Sequence, residues 1–456
     1  MTIWCSTLVA AGKATSAVRL TVGADGRIAS VRSGVSPQPG DLVLGTVVPG
    51  FGNAHSHAFH RVLRGQTHSQ GGDFWRWRER MYKAAATFDP KSYFEVARAT
   101  FAEMVAAGWT AVGEFHYLHH RARGERYPQN HAMELALISA AHEVGIRLVL
   151  LDTSYLAGGF DQPLSSEQEA FSDGSAERWI ERWFSLRHEI ERLPSGTVPA
   201  TLGAAIHSVR AVPEAAIAQI LAALPSDVPL HVHLSEQPLE NEQAVAASGR
   251  TPTGLLAELG ALSQRTSVVH ATHLTEDDIT VLGAASATAV FCPTTEADLG
   301  DGIGPAKRLS EAGARIALGS DQNAVIDPFL EMRALEAGER LASRERGRFD
   351  PFDLLTAATT NGYRSLGLGE HSLQTGHFAD MVEISGTSVR TAGSSKTELP
   401  MTATASDVDR VIIGGRVVAA QGRLTLPESS MISRRPENLL LSALGEFDRR
   451  LQKTDR

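Results

Sequence analysis

Between residues 49 and about 375 the chain alternates short apolar runs with longer amphipathic windows. The runs read GTVVPGFGNAHSH, TAVGEFHY, IRLVLLDTSY, LGAAIHSVRA, VPLHVHLSEQ, TSVVHATHL, TAVFCPTTEA and RIALGSDQNA. Windows such as PKSYFEVARATFAEMVAAG and NHAMELALISAAHEVG lie between them, with apolar residues recurring at helical spacing. Eight strand–helix repeats of this kind predict an α/β fold, a closed (β/α)8 barrel of the TIM type over residues 49–375. An open doubly wound sheet is the structural alternative, but no Gly-x-Gly-x-x-Gly turn opens any of the helices. The flanks differ. Residues 1–48 and 376–430 carry short β-branched runs broken by Gly and Pro (AVRLTVGADGRIASV, DRVIIGGRVVAAQGRLT), which read as hairpins. They predict a small β-sandwich domain built from both chain ends. The tail, 431–456, contains PENLLLSALGEFDRRLQK at helical spacing.

Charge and composition narrow the function. A net charge of −9 argues against a nucleic-acid or anionic-membrane surface, since both need basic patches. No apolar stretch reaches the length of a membrane span. The N-terminal segment has no positively charged region ahead of its apolar start, so it reads as a strand and not as a signal peptide. The two cysteines, Cys5 and Cys292, do not make a disulfide framework. The expectation is a cytoplasmic enzyme.

In a (β/α)8 barrel the active site lies where strands end and βα loops begin. Nearly every exit of this chain carries imidazole or carboxylate: His55, His57 and His60; Glu114, His116 and Tyr117; His207, Ser208 and Arg210; His231, His233 and Glu236; His270; Thr294, Thr295, Glu296 and Asp298; Ser320 and Asp321. The third exit, LLDTSY, is less telling. Side chains alternate along a strand, so His55 and His57 point the same way and can grip one ion. His231 and His233 also share a face, but only His233 lies near the mouth, which makes His231 a deeper core histidine. Asp321, after RIALGS, supplies a fourth ligand. Three imidazoles and one carboxylate leave a bound ion strongly Lewis acidic. None of the six lysines falls at a strand exit to bridge two ions, which favours one. That ion is expected to be Zn2+, with Fe2+ as the alternative.

PGFGNAHSHAF, HVHLSEQ, VVHATHL and LGSDQNA, in that order, resemble the single-metal deaminase branch of the amidohydrolase superfamily. FWRWRERMY, GEFHYLHH, HSVRAV, HLSEQ, VHATH and TTEADLGDG are more specifically similar to the formimidoylglutamate deiminases of histidine degradation. The resemblance spans nearly the whole chain. It implies that His55, His57, His233 and Asp321 hold zinc, and that Glu236 and His270, with Asp321, act on the attacking water and the leaving nitrogen. It further implies substrate contacts from Arg78, Tyr117, His207, Arg210 and Ser320, and a homodimer. Two departures stand out: His60 replaces the family's usual Gln at a substrate-holding position, and QNAVID replaces a Ser-His pattern after Asp321.

The implied substrate is a small dicarboxylate amidine, N-formimino-L-glutamate, hydrolysed to N-formyl-L-glutamate and ammonia. Its two carboxylates call for arginines in a bidentate role. Arg210 follows the fourth strand and hangs over the mouth. Arg76, Arg78 and Arg80 compete on spacing alone, and the resemblance selects Arg78. Glu236, three residues beyond His233, is placed for proton transfer, and His270 to hydrogen-bond the attacking oxygen. The alternatives are a deaminase of the same superfamily acting on a heterocycle (guanine, cytosine or aminotriazine type), one acting on a related formimino amino acid, and a non-catalytic metal-binding barrel. The last has no use for Glu236 and His270. His119 and His120 are expected to stand outside the catalytic set.

Overall fold

Eight parallel strands form the centre of the molecule: β1 (Phe51–Ser56), β2 (Trp109–His116), β3 (Arg147–Ser154), β4 (Thr201–Ile206), β5 (Leu230–Leu234), β6 (Thr266–His270), β7 (Thr288–Phe291) and β8 (Arg315–Leu318). The computed structural model describes residues 1–67, 74–193, 200–425 and 433–454. Each strand pairs with its sequence neighbour, in the order β1 to β8. The ring closes where Ser56 bridges Asp321. There the backbone N–H groups of Ser320 and Asp321 both donate to the His55 carbonyl at 3.0 Å, and His57 N–H donates to the Asp321 carbonyl at 2.9 Å. Most of these strands are buried along their whole length, which is why they read as apolar runs and not as alternating patterns. Small apolar side chains from several strands, Ala54, Val269, Val290, Cys292 and Ala317, fill part of the interior. The outer helices start and stop where their sequences direct. Helix Pro90–Ala107 opens on an Asp89–Ser92 capping box with Pro at the first turn, and closes on Gly108 at φ 106°.

A second, eight-stranded sheet is built from both chain ends. Its order is Arg423–Leu424, Arg416–Ala420, Val408–Ile413, Met381–Ile384, Leu42–Pro49, Thr2–Ala10, Lys13–Val22 and Ile28–Arg32. The sheet curls over a shared interior of Ile3, Cys5, Leu20, Leu44, Met381 and Ile412. The turn between Val408–Ile413 and Arg416–Ala420 comes so close to strand Lys13–Val22 that a Cβ on Gly415 (φ 79°) would stand 2.7 Å from Val22 Cγ1. One apolar run of the sequence, GTVVPGFGNAHSH, proves to be two strands. Leu42–Pro49 belongs to the small sheet and Phe51–Ser56 to the barrel. The chain changes sheet at Gly50, where any Cβ would collide with the Thr110 side chain.

The C-terminal helix, Pro436–Thr454, packs on helix Pro90–Ala107. Phe447 faces Phe88 at 4.7 Å between ring centroids, and Arg450 pairs with Asp89 at 2.7 Å. Among the described residues no helix is long and apolar enough to cross a membrane.

Candidate active site and metal centre

The strand exits that carry polar groups are also where the backbone leaves ordinary conformations. Ser235, His270, Ala271, Asp321 and Asn323 all have positive φ without being glycine. Such residues each cost on the order of 1 kcal/mol and persist where the surroundings hold them. Here the hold is visible. Ala271 N–H donates to the Leu234 carbonyl at 2.9 Å, and His273 N–H to the Ser235 carbonyl at 3.0 Å. The Asn323 side chain donates to the His57 carbonyl at 3.0 Å and accepts from Ser320 Oγ at 2.7 Å.

On this frame His55, His57, His233 and Asp321 converge. His55 Nε2 lies 3.1 Å from His233 Nε2 and 3.3 Å from Asp321 Oδ1, which is 3.4 Å from His57 Nε2. His57 Nδ1 donates to the Phe115 carbonyl at 2.8 Å, and His233 Nδ1 to the His207 carbonyl at 3.0 Å. Burial, then the neighbouring imidazoles, hold both rings well below the ordinary histidine pKa. With Nδ1 carrying the proton, each Nε2 presents a lone pair to the same small space. Ligands about 2.0–2.1 Å from a tetrahedral ion stand about 3.3 Å apart, so these residues fit a divalent metal such as zinc. His231 is not among them. It is fully buried, and its ring donates through Nε2 to the Ser365 carbonyl at 2.8 Å.

Above this cluster opens a cavity lined by imidazole, carboxylate, guanidinium and aromatic side chains. Ten of the twelve residues singled out from the sequence line it: His57, His60, Arg78, Tyr117, His207, Arg210, His233, Glu236, His270 and Asp321. His55 lies beneath its floor. Ser320 is the exception, for it is fully buried away from the cavity. Its hydroxyl accepts from Asn53 Nδ2 at 2.7 Å and donates to Asn323, so the close fit of β8 against β1 has used it. His60 reaches Tyr117 Oη through Nε2 at 3.0 Å.

Glu236 Oε1 stands 3.9 Å from His270 Nε2. Burial raises the Glu236 pKa, and His270 only partly opposes this. Burial by itself would lower His270, but Glu236, Glu296 and Asp321 outweigh it and push the imidazole up to about 10.

His119 and His120 lie elsewhere, in a buried network. His119 pairs with Glu134 at 2.9 Å and His120 with Asp173 at 3.0 Å, while Arg182 reaches Glu134, Asp152 and Asp173. His116 shares the same Glu134 oxygen at 3.3 Å. The one guanidinium bridges all three carboxylates, which makes the cluster a structural tie of β2 and β3 to helix Ala176–Arg192.

Six lining residues escaped the sequence reading: Trp77, Met81, Tyr82, Tyr155, Phe171 and Leu299. Two signals pointed to some of them. Trp77, Arg78, Met81 and Tyr82 occupy one face of helix Phe74–Thr87, a spacing visible in FWRWRERMY. Tyr155 follows β3 directly, at the exit that had seemed uninformative. Gln168 Nε2 donates to Tyr155 Oη at 2.8 Å and to Tyr82 Oη at 3.1 Å, and Arg78 Nε donates to Tyr82 Oη at 2.7 Å. Phe171 and Leu299 come from short helical turns, Glu169–Phe171 and Pro293–Leu299, too brief to carry a periodic signal.

Residues 46–418 match the amidohydrolase family. The chain is 36% identical over 421 residues to formimidoylglutamate deiminase of Pseudomonas aeruginosa, covering 89% of this chain and 92% of that protein. The crystal structure of an amidohydrolase from Brucella melitensis superposes with a TM-score of 0.89 at 32% identity, over 98% of this chain and 99% of that one. An adenosine deaminase from Xanthomonas campestris, solved with bound zinc, shares the fold with a TM-score of 0.82 at 22% identity, over 99% and 98% of the two chains. The converged histidines, the barrel and these matches agree: the chain belongs to the amidohydrolase family and is a hydrolase acting on carbon–nitrogen bonds.

Proposed function

We propose that the protein hydrolyses N-formimino-L-glutamate to N-formyl-L-glutamate and ammonia, with one divalent ion, zinc or alternatively iron, held by His55, His57, His233 and Asp321. The observation that carries this reading is the pair of arginines. Arg78 and Arg210 line the same cavity as Glu236 and His270, and two guanidiniums suit a substrate with two carboxylates. The relative from Pseudomonas aeruginosa supports the same substrate. A heterocycle would find aromatic walls here in Trp77, Tyr117, Tyr155 and Phe171, but has no use for two cations.

The chemistry is R–NH–CH=NH + H2O → R–NH–CHO + NH3. When bound, the ion supplies Lewis acidity that makes water a nucleophile at neutral pH. Arg78 and Arg210 bind the carboxylates, and Tyr117, His60 and His207 wall the amidine into one orientation. Glu236 takes a proton from the water as its oxygen adds to the amidine carbon. It then gives that proton to the terminal nitrogen, which departs as ammonia while the formyl C=O forms. His270 hydrogen-bonds the adding oxygen, and Asp321 accepts the remaining hydroxyl proton and passes it to the same nitrogen, the second proton that NH3 requires. The raised pKa of the buried Glu236 carboxyl suits a group that must both take and return a proton.

The test is ammonia release from formiminoglutamate, from its aspartate homologue and from guanine, with metal analysis of the same sample. Release from the glutamate compound is expected, ended by chelation and restored by zinc. Glu236→Gln should lower kcat by about 10²–10⁴-fold while retaining the metal. Ammonia from guanine and none from the glutamate compound would overturn the assignment in favour of a heterocycle deaminase.

A further inference from the structure

One buried carboxylate with no role in the scheme above faces the reacting groups. Glu296 lies on the short helix Pro293–Leu299 after β7 and is 5% exposed. Its Oε1 stands 3.5 Å from His270 Nδ1. The same oxygen accepts the backbone N–H of Cys292 at 2.8 Å, so the carboxylate is tethered where it is. On the other side of the ring, His270 Nε2 faces Glu236 Oε1 at 3.9 Å. The His270 imidazole therefore spans two carboxylates, one tethered in the barrel wall and one lining the cavity.

An imidazole needs such a hold. Rotation about Cβ–Cγ is soft, and a ring without a partner at Nδ1 samples both faces and both tautomers. His270 is 1% exposed, so solvent cannot serve that nitrogen. His270 Nδ1 makes no hydrogen bond as it stands, and Glu296 Oε1 at 3.5 Å is the acceptor that faces it. The backbone at this point has φ 71°, held by neighbours and not by its own preference.

We propose that Glu296 is a positioning residue for His270. By accepting Nδ1–H it sets the ring so that Nε2 faces Glu236 and the adding oxygen. Glu296 does not line the cavity and touches no substrate. The present 3.5 Å separation shortens when the site is occupied, as hydrogen bonds of catalytic groups commonly do. The proposal rests on the assignment of Glu236 and His270 to the reaction.

The experiment compares Glu296→Gln and Glu296→Leu with wild type, all metal-loaded. Gln keeps the volume and the acceptor for Cys292 N–H, so it separates loss of charge from loss of fold. Glu296→Leu is expected to lower kcat about 10- to 100-fold with KM within about twofold and metal content unchanged, and Gln to recover part of that loss. The second readout is nitrogen NMR of histidine-labelled protein, with the His270 signals assigned through His270→Gln. Wild type should show His270 Nδ1–H hydrogen-bonded in a single ring orientation, and Leu the loss of that bond. Unchanged His270 signals in both variants, a change confined to KM, or metal loss in proportion to kcat would each overturn the proposal. If wild type does not turn over formiminoglutamate, the substrate assignment fails, while the NMR comparison still decides whether Glu296 orients the ring.

Discussion

At the scale of single residues, burial decides what each polar group can do. Arg210 lies at the mouth as a charge with a geometric fork, and lysine cannot reproduce a bidentate hold on a carboxylate. Arg210→Lys is therefore expected to raise KM about 10- to 100-fold, the equivalent of about 1.5–3 kcal/mol for a hydrogen bond to a charged group, with kcat within a few-fold. Steady-state kinetics on the formimino substrate check this. Glu114 shows the opposite side of burial. Its Oε1 accepts Ala58 N–H at 2.5 Å, its Oε2 is buried without a partner, and burial raises its pKa from 4.5 to about 8. In this range the folded protein holds a proton that the unfolded chain has released. Stability from this group therefore falls as pH rises from about 5 to about 8 and levels off above. Glu114→Gln should flatten that slope and unfold at a higher temperature than wild type above pH 8, as followed by calorimetry across the range.

At the scale of elements, the site depends on how closely β8 approaches β1. Gly319 ends β8 where a Cβ would stand 2.8 Å from the His55 carbonyl oxygen and 2.9 Å from both Cys292 Sγ and His55 Cβ. Backbone cannot give way there as a flexible side chain could. Gly319→Ala is expected to cost about 1–3 kcal/mol in denaturant unfolding and to reduce bound metal per chain, because the methyl pushes on His55 itself. Retention of full metal content with unchanged stability would show that β8 has room to retreat. The same closeness explains Ser320. Its place in sequence, beside Asp321 at a strand exit, is that of a substrate contact. Packing against Asn53 turns it inward.

At the scale of the whole molecule, the barrel and the end-built sheet share an apolar core, and a buried ion pair crosses between them. Arg147, which starts β3, donates through Nε to Asp380 at 2.5 Å and through its second nitrogen at 3.0 Å. Asp380 also accepts from Tyr363 Oη and from Gly414 N–H, both at 2.7 Å, and the Arg147 guanidinium stacks 3.8 Å from the Phe378 ring. Burial would raise the Asp380 pKa, but Arg147 outweighs it and holds the carboxyl below its ordinary value. A depressed carboxyl contributes stability that is present above about pH 4 and lost as pH falls further. Asp380→Ala leaves Arg147 buried and unpaired, at an expected cost of about 3–5 kcal/mol near neutral pH. Urea titrations should show that difference shrinking as pH falls below about 4, where the unfolded chain takes up a proton that the folded Asp380 resists. A constant difference across pH would mean that packing, not charge, makes the joint.

The sequence by itself determined the architecture and most of the site. Fully buried parallel strands must read as apolar runs, and an imidazole or carboxylate at the end of such a run has few places to go but the barrel mouth. That is why His55, His57, His233 and Asp321 are legible as candidates at strand exits, whereas the family resemblance singles out Glu236 and His270. Tertiary structure decided what depends on a neighbour distant in sequence. Gly50 divides one apolar run between two sheets because Thr110 crowds it, and Ser320 faces Asn53 instead of the cavity. Tyr155 and Phe171 become walls through the fold of the loops after β3, and Glu296 meets His270 across two strands. The reason is physical. Periodicity records how a residue sits relative to its own element, whereas distances between elements are set only once the core has packed.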